Sequence, residues 1–428
     1  MTRRGRYYTA SEAVPKADYN GRVLPVQSSA FSAIMWSMRV LAIAPTGFFA
    51  DYGCHVRILG QLRALQALGY EVRLVTYPVG SDVPGLSTVR PPWPLTRRLA
   101  VGSSYRKLLL DLLLAPTATW VGLRFRPQLI HGYLHEGVLI GWVLARRLGI
   151  PLTADYQGSL TAEMLDHRFL SPRSPMLPLL RRLERWIDTR PAALFPSSLQ
   201  AAQRLRHVAQ ERIHPLADSV DPEVFAPAPP DSALRDRLGL DPDRPLVVYL
   251  GLLAPYQGID WLLHAIAAPP LRGHKAQFLI MGFPHVQHYR GMARRLGIAD
   301  RVRFTGAVPY ELAPRYLALG DIAVAPKLSA TEGSGKLLPY MSMALPVVAS
   351  DIPVHRQYLG DAGVYVSPGD EQALAEALAE TCRRLPDLRR RAFELRRRVE
   401  EKYTWHHAAK AMAEVFQTLV VERGTGPG

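Results

Sequence analysis

From Met38 onward the chain alternates short, continuously apolar runs with helix-length segments, in two series separated by a stretch that has no periodicity. MRVLAIAP is apolar at every position from Val40 to Ala44. A strand with one wet face would alternate, so this run suits a parallel sheet covered on both sides. The loop TGFFADYG follows, then a helix predicted over about Cys54 to Leu68, a stop at Gly69 and a second strand in EVRLVTYP. That order is a βαβ unit of a doubly wound α/β sheet. Further strands are predicted at Gln128 to His131, at Pro151 to Tyr156 and in ALFPSS, with a helix from Gly137 to Leu148.

The segment Asp218 to Pro230, rich in Pro and Asp, reads as a linker. Beyond it the logic repeats, with strands predicted at Pro245 to Leu250, Gln277 to Met281, Val302 to Thr305, Ile322 to Ala325 and Pro346 to Ala349. At 428 residues, 48% of them hydrophobic, the chain has material for two cores. The expected fold is therefore α/β, two Rossmann-like doubly wound domains facing a central cleft. The expected boundaries are an extension at 1–37 that reads as disordered, an N-terminal domain at 38–217, a linker at 218–230 and a C-terminal domain at 231–400. A C-terminal segment at 401–428 is long enough to cross back to the first domain. Ligands are expected at the carboxyl ends of the strands.

One corner of the second half is built for an anion. TEGSGKLLPYM puts Glu332, Gly333, Ser334, Gly335 and Lys336 directly before a helix, where small residues, free N–H groups and a helix end favour phosphate. The chain has seven lysines among 52 basic residues, and two of them, Lys327 and Lys336, flank this loop. The loop could also be a plain helix cap.

Together these motifs resemble the GT-B glycosyltransferases of the large retaining group often called family 4. The resemblance runs from about Met38 to Val421 and rests on the paired halves, TGFFADYG, HPLADSVDPEVF, FTGAVPY and EGSGKLLPYM followed by ALPVVASD. It implies a nucleotide-sugar donor bound mainly by the C-terminal domain and a hydroxyl acceptor bound by the N-terminal one. It further implies retention of anomeric configuration and no metal. Glu332 would contact the donor sugar. Gly333, Ser334, Gly335, Lys336 and Lys327 would hold the diphosphate, whose growing negative charge has to be stabilised as it leaves. Asp241 to Asp243, the one DxD string, reads as a turn.

Three positions depart from the family pattern. Pro339 stands where an acid usually holds the ribose, and it has neither an N–H nor a side-chain acceptor. Tyr340 is the substitute beside it. In GLLAPYQG, Leu252 and Gln257 replace an Arg and a Lys that would grip the diphosphate. A non-catalytic binding protein on the same fold is the alternative this triple loss suggests.

In the first half, HGYLHEG offers His131, His135 and Glu136; aligned from His131, the resemblance would put Tyr133 in the place of a sugar-contacting histidine, and the alternative register, preferred here, carries that role to His135, while His131 reads as a packed strand residue. DYQGSLTAEMLDH offers Asp155, Gln157 and Ser159 to an acceptor, although Ser159 with Glu163 also reads as a helix cap. Gly53 would let its loop approach a donor phosphate, or is an ordinary turn.

Net charge is +15, which favours acidic partners, yet no nucleic-acid signature accompanies it and none is expected as a partner. Two distant cysteines, Cys54 and Cys382, point to a cytoplasmic protein. Leu108 to Leu123, with Asp111 and Pro116, falls short of a membrane span. Trp93 to Phe125 mixes Arg97, Arg98, Arg106 and Lys107 with Leu and Trp, and suggests peripheral contact with an anionic membrane.

Overall fold

The computed structural model describes residues 38–49, 53–92, 105–166, 169–329 and 333–424. The extension at 1–37 and the proposed sugar contact Glu332 lie outside them. The first half runs β1 (Arg39–Ala44), α1 (Gly53–Ala67), β2 (Glu71–Thr76), β3 (Ser87–Val89), α2 (Tyr105–Phe125), β4 (Leu129–Tyr133) and α3 (Leu134–Leu148). It continues through β5 (Leu152–Tyr156), α4 (Leu160–Asp166), α5 (Leu177–Asp188), β6 (Ala193–Pro196) and α6 (Leu199–Arg204).

The second half runs α7 (Ser232–Arg237), β7 (Leu246–Leu250), α8 (Ile259–Ala267), α9 (Pro269–Arg272), β8 (Gln277–Met281), α10 (Val286–Arg295) and β9 (Val302–Gly306). Then come α11 (Ala313–Leu317), β10 (Ile322–Ala325), α12 (Leu337–Ser342), β11 (Val347–Ser350), α13 (Pro353–Leu359) and β12 (Val364–Val366). The chain ends with α14 (Glu371–Arg383), α15 (Leu385–Lys402) and α16 (Trp405–Gly424).

Both sheets are parallel and six-stranded, in the orders β3-β2-β1-β4-β5-β6 and β12-β11-β10-β7-β8-β9. In each, the strand order reverses once, between β1 and β4 and between β7 and β10. At such a point the two flanking loops diverge and leave a crevice at the carboxyl ends of the strands. The expected strands are present. β3 and β12, three residues each at the sheet edges, are additions the apolar pattern did not reveal.

α16 returns to the first half, where Ala409, Met412 and Phe416 join Ile58 and Leu62 in one core. Close approach of the two helices depends on Gly60, because a Cβ there would lie 2.1 Å from the Trp405 ring. The linker crosses beside it, Val220 bridging to Thr404. The arginine-rich run 389–398 lies on α15, whose Leu388, Ala392, Leu395 and Val399 turn inward, so most of its charge is a solvated face. α2 corrects the expectation of a short apolar stretch. The helix is 21 residues long, and by length and composition its 107–125 segment is apolar enough to cross a membrane. Its inward residues Leu110, Leu114, Ala118 and Val121 are nonetheless built into the first sheet's core.

Candidate functional site

The two crevices open into one cavity of about 360 Å³ lined from both halves. On the second half's side, its frame is a set of glycines whose neighbours leave no room for a side chain. Gly251, after β7, has a φ of 153°, and a Cβ there would sit 2.8 Å from the Lys336 ammonium. Gly258, at φ 78°, would push a Cβ to 1.7 Å from the Pro326 carbonyl oxygen. The loop after β7 and the loop after β10 are thereby locked side by side.

Lys336 lies in this frame. Its Nζ donates to Gln257 Oε1 at 2.6 Å and to the Tyr249 hydroxyl at 3.1 Å, and sits 4.5 Å from the centre of the Tyr249 ring. Gln257, one of the three departures from the family pattern, thus orients the lysine rather than adding a second cation. Lys327 is buried and donates to the Gly333 carbonyl at 2.7 Å, closing its own loop. Ser334 faces His355. The His355 Nδ1 lies 2.8 Å from the Ser350 carbonyl, so Nδ1 carries the proton and Nε2 accepts from Ser334 Oγ at 2.9 Å. Burial lowers His355 to about 3, which keeps that tautomer neutral. Gly333 and Gly335 answer to Asp218, whose carboxylate a Cβ would approach to 2.8 and 3.3 Å. A neighbouring side chain of the protein thus excludes a Cβ at Gly333 and crowds one at Gly335.

Beneath Asp218 is a buried ion cluster. Arg57 donates two bonds from Nε to both oxygens of Asp155 at 3.0 Å, a third from Nη2 at 2.7 Å, and a bond from Nη1 to Asp218 at 3.1 Å. Gln61 and Gln157 add amide donors to Asp155 at 3.0 and 2.9 Å. Burial alone would raise the Asp155 carboxyl, but the Arg57 charge and bonds outweigh it and hold it below the usual range. Burial wins at Asp218, which has one bond from Arg57 and Asp155 nearby, and its carboxyl is raised.

Several expected roles are corrected. Asp155 has its oxygens committed to Arg57, Gln61 and Gln157, so it positions Arg57 and is not available to an acceptor. Tyr340 is fully buried; its hydroxyl accepts from the Leu250 N–H at 2.6 Å and lies 3.3 Å from the Leu250 carbonyl. It pins α12 to β7 and cannot replace a ribose-binding acid. α12 itself has six residues, too short for the helix dipole to contribute much, so the positive charge at this corner rests on Lys336. Ser159 caps α4 by accepting from the Ala162 N–H at 3.2 Å. A side chain at Gly53 would meet nothing within 4 Å, so packing does not demand glycine there. Asp241 is the acceptor of an Asx turn from the Asp243 N–H at 2.9 Å, at the end of β7 away from the cavity.

On the first half's side, His131 is packed in β4, its Nδ1 2.8 Å from Thr153 Oγ1 and its ring against Tyr133. His135 and Glu136 open α3 and line the cavity. Burial would lower His135, but Asp188, 3.4 Å from Nε2, and Glu184 at 3.9 Å raise it. Sequence reasoning missed Arg57, Asp218 and Lys107, all in the cavity wall. A signal existed for the first: Arg57 and Gln61 interrupt the inward face of α1 at helical spacing, beside Ile58, Leu62 and Leu65.

Comparison with known proteins identifies both halves. Residues 52–251 match the glycosyl transferase 4-like domain and residues 244–384 match glycosyl transferases group 1. An alpha-D-kanosaminyltransferase of Streptomyces kanamyceticus is 29% identical over 65% of this chain and 73% of its own length. A D-inositol 3-phosphate glycosyltransferase 2 of Catenulispora acidiphila is 26% identical over 86% of this chain and 90% of its own. Among solved structures, Anabaena HepE in complex with UDP-glucose superposes with a TM-score of 0.70 at 17% identity, covering 89% of this chain and all of that one. That likeness shows the shared fold.

Proposed function

The chain belongs to the group 1 glycosyl transferases with a 4-like N-terminal domain, a GT-B glycosyltransferase that uses a nucleotide-sugar donor, and from that premise we propose how it works. The donor diphosphate lies against Lys336, between the loop after β7 and the loop after β10. The C1–O bond to the diphosphate breaks with its electron pair going to the leaving phosphate. An acceptor hydroxyl oxygen bonds to C1 from the same face, and its proton passes to a departing phosphate oxygen. Configuration is retained and no metal takes part.

The observation that carries this reading is Lys336, fixed by Gln257 and Tyr249 in the cavity wall. A preorganised cation of this kind stabilises charge that appears only as the bond breaks. On the opposite wall His135, Glu136, Gln157 and Glu163 supply polar groups for sugar and acceptor hydroxyls, a hydroxyl-bearing ring being the class that the inositol phosphate relative's name suggests. The cytoplasm is the proposed location, in keeping with two free cysteines. Both relatives carry transferase names, which leaves the non-catalytic alternative without support from them. The anomeric configuration of the product, read by proton NMR in buffer with a metal chelator, tests the mechanism. Retention is expected; an inverted product or a strict requirement for metal would overturn it.

A further inference from the structure

The outer helices of the first half carry a surface that the fold does not use. In α5, Leu177, Ile187 and Asp188 turn inward, the last two forming part of the cavity wall. The opposite side holds Leu179, Leu183 and Trp186 at helical spacing, exposed by 64%, 44% and 38%. Arg181, Arg182 and Arg185 lie among them, all exposed. A helix facing only water would place polar residues where these apolar ones stand.

The surface continues across α3 and α2. Trp142 of α3 meets Trp186 edge to face at 5.1 Å, with Arg190 4.7 Å from the Trp186 ring and Arg146 5.4 Å from Trp142. Val143 beside them is exposed. On α2, which packs against α3, Leu109, Leu112 and Trp120 point outward while Leu110, Leu114 and Ala118 enter the core. Among the described residues, these three helices present no exposed carboxylate: Asp111 and Glu136 are half-buried, Glu184 and Asp188 buried. Asp111 is moreover taken by the Tyr77 hydroxyl at 2.6 Å.

Leucine and tryptophan set among arginines, with no exposed acid on the described residues of these helices, complement an anionic lipid leaflet. The apolar side chains enter the headgroup boundary and the guanidinium groups bind lipid phosphates. We propose that the outward face of α2, α3 and α5 rests on an anionic membrane and presents the cavity to an acceptor carried in that leaflet. This rests on the reading of the first half as the acceptor side. The inward sides of the same helices reach the cavity through Lys107, Ile187 and Asp188, so the proposed membrane face and the cavity share their supporting helices. The contact anticipated from Trp93 to Phe125 therefore shifts to a three-helix face, residues 93–104 lying outside the described residues.

Flotation of the full-length protein with phosphatidylcholine vesicles, with and without phosphatidylglycerol, tests the proposal. Partition is expected to be at least about 10-fold stronger with phosphatidylglycerol and to weaken in high salt. Leu179→Ser with Leu183→Ser, and separately Arg181→Gln with Arg185→Gln, are each expected to lose that gain while the unfolding temperature and its nucleotide-induced rise stay unchanged. Equal partition on both vesicles would overturn the proposal. So would a dimer in sedimentation that the same substitutions dissociate, since the face would then belong to a second copy. Flotation retained without any nucleotide response would support the surface and count against the donor reading alone.

Discussion

Lys336→Met is expected to lower kcat by about 100- to 1,000-fold, the range for loss of one preorganised group that stabilises charge developing in the transition state. Methionine keeps the unbranched stem that lies along Tyr249 and removes only the ammonium. The fold should therefore survive, and initial rates at saturating donor read the chemical contribution directly. The effect should be large because α12 offers little dipole and Lys327 is already bonded to its own loop. Leu252 and Gln257 add no cation nearby. Gln257→Ala should give a smaller loss, since it frees the lysine without deleting it. A Lys336→Met enzyme within about threefold of the parent rate would remove the residue from the mechanism.

Arg57→Leu is expected to destabilise the first half by about 3–5 kcal/mol, the cost of breaking a buried ion pair from one side. Two carboxylates, Asp155 and Asp218, would be left facing each other with the guanidinium gone. Against a net stability of about 5–15 kcal/mol, a loss of that size should lower the unfolding temperature by many degrees. Its pH dependence has a definite sign. In the parent, the depressed Asp155 carboxyl contributes stability that is present above its unfolded value near 3.8 and is lost as pH falls through the lower folded value. Asp218, raised by burial, opposes this and costs stability above its folded value. Without Arg57 both carboxyls should be raised, so the variant should gain stability as pH is lowered from 7 toward about 5. Urea midpoints across that range check it. A variant that loses stability over the same interval would show that Arg57 does not govern these acids.

Much of the architecture was legible because a strand buried on both faces is largely apolar, and ten such runs stand out from Val40 to Ala349. β3 and β12 were not, since three residues at a sheet edge carry no period. The lysine pair was visible from its rarity, but its division of labour was not. That one ammonium closes a loop and the other meets Gln257 follows from a contact across 79 residues. Tyr340 was misjudged for a similar reason: its partner, the Leu250 backbone, lies 90 residues away. Arg57 and Asp218 are 161 residues apart, and nothing local to Asp218 marks it as the group that crowds Gly333 and Gly335. Asp155 looked like an acceptor ligand because an acid at the end of a strand points toward the cleft. Its commitment to Arg57 becomes apparent only once α1 is folded against the sheet.

Thermal unfolding of the parent and of Lys336→Met, with a panel of nucleoside diphosphates and nucleotide sugars in metal-free buffer, is the most direct test of the cavity as a donor site. A ligand at about 100 times its dissociation constant adds about 2.7 kcal/mol of stability. The account predicts a clear rise in unfolding temperature for the parent with one base in preference to the others, and a much reduced rise for Lys336→Met. No rise across the panel, or equal rises in the two proteins, would contradict it.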